Sequence, residues 1–227
     1  MSNVHELLNS LNINPNSLSN YSLALTHSSY NADANTKHHD YERLEYMGDA
    51  VLGFVVADMI FQKYPTMEPG VMSKLRSYLV KSHSLATYAR KIELHKYIKV
   101  GHSIGLNQIF ESDKILEDVF EALIGAIYLD QGVNFAYQYI KGFVENDLNN
   151  IDLDVLTDYK TKLQEEMQAE YRNSVKYNVI NVSGPAHNRH FIVSVTFNDL
   201  VLATGEGKSK KEAEENAAKK ALMKRSV

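Results

Sequence analysis

The chain has 227 residues, 44% of them hydrophobic and none of them cysteine. It can therefore bury one large or two small cores, but disulfide bonds and thiolate metal sites are excluded. The net charge is −4, yet residues 158–227 carry twelve Lys and Arg against nine Asp and Glu, which leaves −7 on residues 1–157. An acidic half can bind metal while a basic half holds a polyanion.

The longest apolar run, residues 50–57, is too short to span a membrane. The N-terminus has no basic segment followed by an apolar one, as a secretory signal requires. We therefore expect a cytoplasmic protein with no membrane partner.

The predicted elements of the acidic half are helices. Apolar residues at helical spacing indicate helices over residues 3–12, 72–79, 82–91, 114–129 and 135–146, with another ending near 26–30. A longer helix follows Asp40, its expected N-cap, and should stop at Pro65. Residues 99–110 contain two glycines and should form a loop with room for one short helix. We predict an all-α domain over residues 1–150, followed by a linker over 151–157.

The long helix begins with the stretch YERLEYMGDAVL, residues 41–52. Its carboxylates Glu42, Glu45 and Asp49 are spaced i, i+3 and i+7, so they fall within about 60° of one another on a helix. Like charges at this spacing repel, and a divalent cation would offset that repulsion. A solvated acidic face is the alternative interpretation.

A second acidic pair, Asp118 and Glu121, lies in the segment LEDVFEAL with the same spacing and a similar apolar setting. In the long helix, Gly48 lowers helix stability by about 1 kcal/mol relative to Ala. A glycine kept at this cost predicts that another helix backbone approaches closely. Two acidic helices that face each other can supply hard oxygen ligands to one metal while leaving positions for water and phosphate. On geometry alone, a shared metal site and a solvated face remain equal alternatives.

The basic half changes pattern. A helix over 158–172 is followed by alternating strands over 175–182, 190–197 and 200–206, and by a final helix over 209–224. Asn198 and Asp199 mark a hairpin turn between the last two strands. In the final helix, three alanines spaced by four form a face that can lie close to a sheet. The order α-β-β-β-α predicts a small α+β domain over residues 158–227.

The segments ERLEYMGDAVL and LEDVFEALIGAIYLDQG closely resemble the two acidic segments of the ribonuclease III family, and the resemblance extends through nearly the whole chain. It implies the ribonuclease III endonuclease fold and a homodimer through the catalytic domain, each active site cutting one RNA strand. Carried over by position, it implies that Glu45, Asp118 and Glu121 bind Mg²⁺, for which Mn²⁺ should substitute. Asp49 and Glu121 are then the expected catalytic groups, and Glu42 a supporting acid.

Residues 26–30, THSSY, also resemble the family, whose equivalent segment packs near the signature helix. We interpret His27 as a hydrogen-bonded structural histidine rather than a catalytic base.

The basic half resembles the double-stranded-RNA-binding domain at residues 158–165, 184–187 and 205–213. Ser209 can cap the final helix, whose positive end suits phosphates together with Lys208, Lys210 and Lys211. Gln164 and His187 can reach successive minor grooves of an RNA duplex. The lysines alone would be read as a solvated helix start; the three elements together favour RNA binding.

The resemblance therefore implies a metal-dependent endonuclease that cuts double-stranded RNA into duplexes with 5′-phosphates and short 3′ overhangs, in the processing of ribosomal-RNA precursors and other structured transcripts. One alternative is a binding protein that has lost cleavage, although all four principal carboxylates are retained. The other is a DNA-directed or general phosphodiesterase, although the basic half should recognise A-form shape and 2′-hydroxyls.

The sequence departs from the family at residues 67–73, where bacterial relatives usually carry an acid immediately before the glycine. Here that place is Pro69, and Glu68 lies one position earlier. Proline pushes the preceding residue towards an extended conformation, so the carboxylate is redirected. Either the loop is rearranged and Glu68 still reaches the cleft, or Glu68 is solvated and dispensable. We favour the second interpretation, because this loop lies outside the two helices that supply the metal ligands.

Overall fold

The computed structural model describes residues 2–32, 39–185 and 188–225 of the chain. These residues form two compact units that divide between Leu156 and Thr157. Among the described helices, none combines the length with the apolar character that a membrane span needs.

The first unit is helical, as predicted. Its helices are α1 (Ser2–Ser10), α2 (Ser19–Ala24), α3 (Glu42–Lys63), α4 (Pro69–Leu79), α5 (Ser82–Lys91), α6 (Leu106–Glu111), α7 (Asp113–Gln131) and α8 (Val133–Asn150). Short 3₁₀ turns occur at Ser28–Ala32, Leu94–Lys96 and Leu153–Leu156. Helix α6 is the one short helix that the glycine-containing loop had room for.

Helix α7 forms the centre of this unit. Nearly every residue from 116 to 127 is buried, and a helix that is apolar on all sides must be enclosed by others. Helices α2, α3, α5 and α8 pack around it. The longest helix, α3, makes the most extensive of these contacts, so the two acidic segments lie side by side.

The contact between α3 and α7 is a contact between backbones, as Gly48 predicted. A Cβ atom built on Gly48 would lie 1.7 Å from the carbonyl oxygen of Glu121. In return, a Cβ atom on Gly125 would lie 2.3 Å from the carbonyl oxygen of Leu44. Side chains larger than hydrogen at these two positions would force the helices apart.

The ends of α3 differ slightly from the prediction. The helix stops before Pro65, as expected, but Tyr41 occupies the N-cap position, so the assignment of Asp40 as N-cap was wrong. The Asp40 carboxylate instead accepts a hydrogen bond from the Glu42 backbone N–H at 3.3 Å. Tyr41 is the cap because its carbonyl accepts the first hydrogen bonds of the helix, from the N–H groups of Leu44 and Glu45. Its own N–H donates to the Thr26 carbonyl.

Part of the predicted linker packs on the first unit. The 3₁₀ turn Leu153–Leu156 contacts α4, and Leu156 belongs to the buried core of the helical unit. Residues up to Leu156 therefore contribute to the packing of that unit.

The second unit has the predicted α-β-β-β-α order. Its elements are α9 (Tyr159–Tyr171), β1 (Lys176–Ser183), β2 (His190–Phe197), β3 (Leu200–Gly207) and α10 (Lys210–Arg225). The strands form an antiparallel sheet in the order β1-β2-β3. Asn198 and Asp199 both have positive φ, at 48° and 65°, as the tight hairpin between β2 and β3 requires.

The alanine face of α10 lies directly on the sheet, as its spacing predicted. Ala213, Ala217 and Ala221 are buried. A Cβ atom on Gly205 of β3 would lie 2.2 Å from the backbone nitrogen of Ala217. Small residues on both sides therefore bring helix and strand into backbone contact.

Candidate metal centre and nucleic-acid interface

The structure brings three predicted metal ligands together. Glu45 on α3 and Asp118 and Glu121 on α7 each offer a carboxylate oxygen, and these atoms all lie within 4.8 Å of one another. The i, i+3 spacing on α7 aims its two carboxylates at the same side of the helix, and the glycine contact brings α3 close enough to add the third.

The remaining predicted acids line the same cleft. Asp49 and Glu42 lie on its wall, together with Tyr41, Tyr46 and Glu117, which the sequence reasoning did not single out. Asp118 and Glu121 are buried and Glu45 is half-buried, whereas Glu42 and Asp49 are exposed. The cleft therefore has a buried acidic floor and a solvated acidic rim.

Burial and mutual repulsion alter the charge of the floor. Burial, followed by the nearby charges of Asp49, Glu117 and Glu45, raises the pKa of Glu121 to about 8. Burial and the neighbouring Asp118 also raise the pKa of Glu45. Carboxylates this close together repel one another when they are ionised, and a bound cation would offset that repulsion.

Lys114 supplies positive charge beside this floor. Its ammonium lies 2.6 Å from Asp118 Oδ1, 3.8 Å from Glu117 Oε2 and 3.9 Å from Glu45 Oε1. The Asp118 carboxylate raises the pKa of Lys114. The i, i+4 spacing of Lys114 and Asp118 is visible in the sequence, but the contact with Glu45 on α3 is not.

The other oxygen of Asp118 faces a tyrosine. The Tyr41 hydroxyl donates a hydrogen bond to Asp118 Oδ2 at 3.2 Å. The Tyr41 ring packs edge-on against His27, with 5.5 Å between ring centroids. His27 Nδ1 accepts a hydrogen bond from the Ser29 N–H at 3.0 Å, and burial lowers the pKa of His27. His27 is thus hydrogen-bonded, as expected for a structural histidine, and its assignment to a structural role stays a prediction.

The residues of the cleft fit a hard divalent cation. Three carboxylates converge, two of them buried, and the Lys114 ammonium lies 2.6 Å from Asp118 Oδ1, so the cleft attracts positive charge. Mg²⁺ and related cations prefer carboxylate oxygens, and they keep water molecules where the protein leaves the coordination shell open. Asp49 lies beside the three-carboxylate group rather than within it.

The second unit builds the predicted helix cap. Ser209 Oγ accepts a hydrogen bond from the Glu212 N–H at 3.1 Å, and the Glu212 carboxylate accepts one from the Lys208 N–H at 2.7 Å. Both hydrogen bonds cap the start of α10, although the Glu212 carboxylate accepts from the residue before the N-cap rather than from Ser209 itself. Lys208, Lys210 and Lys211 are exposed there, and Lys210 lies 3.8 Å from Glu214.

Gln164 and His187, the other two predicted RNA-binding residues, differ in what the structure describes. The Gln164 amide donates to Ser174 Oγ at 3.0 Å and accepts from the Val175 N–H at 3.3 Å, so it connects α9 to the start of β1. His187 lies outside the described residues.

Glu68 has the extended backbone that Pro69 predicted, with a ψ of 139° at the N-cap of α4. Its side chain is exposed, and it is absent from the residues that line the acidic cleft in the described part of the chain.

Comparison with known proteins assigns both units to families. Residues 19–148 match the family model of ribonuclease-III-like proteins. Residues 159–224 match the model of the double-stranded RNA binding motif.

Individual relatives agree with this assignment. A protein named Ribonuclease 3 from Bacillus cereus is 43% identical over 202 residues, which cover 88% of this chain and 82% of the relative. The same values apply to Ribonuclease 3 from Bacillus cytotoxicus. Among solved structures, the nuclease domain of ribonuclease III from Campylobacter jejuni is 36% identical and covers 67% of this chain and all of that domain, with a TM-score of 0.59.

Proposed function

The chain belongs to the ribonuclease III family, and from this membership we infer that it is an endoribonuclease that cleaves double-stranded RNA. One observation carries the inference: a three-carboxylate cleft in a ribonuclease-III-like unit and a double-stranded RNA binding motif occur in the same chain. The first provides a place for hydrolysis of a phosphodiester, and the second provides affinity for the duplex.

The proposed ligands of the metal are Glu45, Asp118 and Glu121, with Mg²⁺ as the ion and Mn²⁺ as a substitute. When bound there, such a cation lowers the pKa of water and neutralises charge that develops on the leaving oxygen. Carboxylate oxygens within 4.8 Å of one another support this assignment.

The other side chains of the cleft have separate roles. Asp49 is proposed as a catalytic group at the rim, where its exposed carboxylate can contact water beside the scissile phosphate. Glu42 is proposed to orient ligands or RNA from the same rim. Lys114 screens the repulsion among the floor carboxylates through its contact with Asp118.

In the second unit, Lys208, Lys210 and Lys211 are proposed to bind duplex phosphates, supported by their exposure at the capped start of α10. Helix N-termini carry partial positive charge and free N–H groups, which favour phosphate. Ser209 keeps this start ordered. Gln164 and His187 are proposed to contact successive minor grooves.

Cleavage of both strands is proposed to require a homodimer through the catalytic unit. Three large side chains on α3 are exposed, at 79% for Tyr46, 58% for Phe54 and 69% for Phe61. Their spacing of eight and seven residues places them on one side of the helix. Large apolar side chains that are exposed along one side of a helix favour burial against a partner. The nuclease domain of ribonuclease III from Campylobacter jejuni contains a region involved in dimer formation.

The proposed products are duplexes with 5′-phosphates and short 3′ overhangs, and the proposed substrates are ribosomal-RNA precursors and other structured transcripts. These RNAs also suggest a cytoplasmic location. Recognition of duplex shape is largely independent of sequence, so the fold of the transcript should matter more than its base order.

The test is incubation of the full chain with a long RNA duplex and Mg²⁺, followed by sizing of the products and identification of their ends. We expect short duplexes with 5′-phosphates and 3′ overhangs. An RNA-binding protein that has lost cleavage would shift the duplex on a gel but leave it intact. A general phosphodiesterase would cut a DNA duplex of equal length at a comparable rate.

A further inference from the structure

Tyr41 is fixed in place from several sides. Its side chain is buried, with 5% of its surface exposed. Its backbone N–H donates to the Thr26 carbonyl at 3.0 Å, and its own carbonyl accepts from the N–H groups of Leu44 and Glu45 at 2.8 and 2.9 Å. The phenol ring therefore has little freedom to move relative to the entrance of α3.

The 3₁₀ turn at residues 28–32 fixes the position of His27, which contacts the Tyr41 ring. His27 packs edge-on against it, and Ser29 holds His27 through contacts of its N–H and hydroxyl with Nδ1. The Ser29 hydroxyl also accepts a hydrogen bond from the Gly101 N–H at 3.0 Å. The segment thus braces Tyr41 against the segment that contains Gly101.

The Tyr41 hydroxyl and the Lys114 ammonium divide the Asp118 carboxylate between them. The hydroxyl donates to Oδ2 at 3.2 Å, and the ammonium lies 2.6 Å from Oδ1 on the other side. The torsion that orients an aspartate carboxylate is soft and roughly two-fold. A rigid donor on one oxygen removes that freedom and keeps the other oxygen directed away from the phenol.

We propose that Tyr41 is a positioning residue, which holds Oδ2 of Asp118 and so orients this carboxylate for binding of the divalent cation. The inference rests on the proposed function, because it assigns a role within the same cleft. Groups that hydrogen-bond to metal-binding carboxylates orient them, and their loss typically weakens metal affinity or activity by about 10- to 100-fold.

The decisive variant is Tyr41→Phe in the full chain, because it removes the hydroxyl and keeps the ring against His27. Titration calorimetry with Mn²⁺ should give a dissociation constant about tenfold or more above that of the unsubstituted chain. In cleavage assays, the variant should need more Mg²⁺ for half-maximal rate, while the rate at saturating Mg²⁺ recovers and the KM for duplex RNA stays unchanged.

Tyr21→Phe is the matched control. Tyr21 is also buried, and its hydroxyl donates to Asp130 Oδ2 at 2.9 Å, at the far end of α7 from Asp118. Both variants lose a tyrosine–aspartate hydrogen bond, so both should lower the unfolding temperature. Only Tyr41→Phe should change the dissociation constant for Mn²⁺.

If Tyr41→Phe bound Mn²⁺ with a dissociation constant within twofold of that of the unsubstituted chain, the proposed role of Tyr41 would be overturned. The proposed nuclease function would remain intact. An equal loss of affinity in Tyr21→Phe would also overturn it, since general loosening of α7 would then account for both. If the unsubstituted chain neither bound Mn²⁺ nor cut RNA, the proposed function would fail together with this inference.

Discussion

Gly48 and Glu121 determine how close the two acidic helices come, because the α-carbon of Gly48 lies against the carbonyl of Glu121. A Cβ atom on Gly48 would lie 1.7 Å from that oxygen, far inside van der Waals contact. Glu45 precedes Gly48 by three residues, and Asp118 precedes Glu121 by the same number, which is nearly one helical turn in each case. The absence of one side chain therefore brings the carboxylates of both helices into one cluster.

Substitution Gly48→Ala should accordingly be severely destabilising. The added methyl group meets backbone atoms rather than a flexible side chain, so α3 and α7 must separate, at a cost of roughly 3 kcal/mol or more. Chemical denaturation measures this cost. The matched control is Gly142→Ala in the middle of α8, where a Cβ atom meets nothing within 4 Å and where Ala should stabilise by about 0.5–1 kcal/mol. Unfolding free energies that are equal in the two variants would contradict the backbone contact.

Substitution Glu121→Gln should abolish most cleavage and leave duplex binding nearly intact. The neutral amide keeps the size of the side chain but is a poor metal ligand, so we expect the rate at limiting Mg²⁺ to fall by about 10² or more. Glu117→Gln is the control, because Glu117 lines the same cleft but is outside the three-carboxylate group. Single-turnover cleavage and gel shifts check both variants. Near-normal cleavage by Glu121→Gln would remove this residue from the mechanism.

The raised pKa of Glu121 predicts how stability depends on pH without metal. The pKa is about 8 in the folded protein against an ordinary value of 4.5, so between these values the folded chain holds a proton that the unfolded chain has lost. Stability from this group is therefore fully present below pH 4.5 and is lost as the pH rises to about 8.

Denaturation of the metal-free chain across this pH range should show that decline, and Glu121→Gln should reduce it. Saturating Mg²⁺ should oppose the decline, because metal binding requires the ionised carboxylate and releases its proton. Calorimetry in buffers of different ionisation enthalpy measures that release. A pH profile that Glu121→Gln leaves unchanged would show that another group carries the effect.

Substitution Glu68→Ala should change the cleavage rate by less than about tenfold, or about 1.4 kcal/mol. Glu68 is exposed at the start of α4, and it does not line the acidic cleft of the described chain. Side-by-side measurement with Glu121→Gln at limiting Mg²⁺ is the test. Comparable losses in the two variants would place Glu68 in the active site of the working enzyme.

A chain truncated after Leu156 should remain folded and dimeric. It should cut RNA at low salt, but its cleavage at physiological salt should fall by more than about tenfold, because it lacks the phosphate contacts of the basic half. Sedimentation and a salt series of cleavage rates test both statements. A monomer would contradict the dimer, and a rate equal to that of the full chain at every salt concentration would contradict the role of the second unit.

The position of the truncation matters for stability. Ending the chain at Asn150 instead would remove Leu156, which is buried in the helical core. We therefore expect the shorter chain to unfold at a lower denaturant concentration than the chain that ends at Leu156.

Much of the local structure could be read from the sequence. The 3.6-residue period predicted the helices of the first unit, and alternation followed by an Asn-Asp turn predicted the hairpin of the second. The i, i+3 spacing of Asp118 and Glu121 placed both carboxylates on one side of a helix, and Gly48 predicted the close approach of a second helix backbone. These patterns are readable because each depends on residues that are adjacent in one element.

Only the tertiary structure decided which groups from distant segments meet and how strongly they interact. Tyr41 and Asp118 are 77 residues apart, and no period in the sequence relates a phenol at the start of α3 to a carboxylate in α7. The pKa of Glu121 likewise depends on burial and on carboxylates from both helices. Proximity and desolvation arise from packing, so spacing along the chain determines which carboxylates share a face, whereas the packing of α3 on α7 determines their charge and orientation.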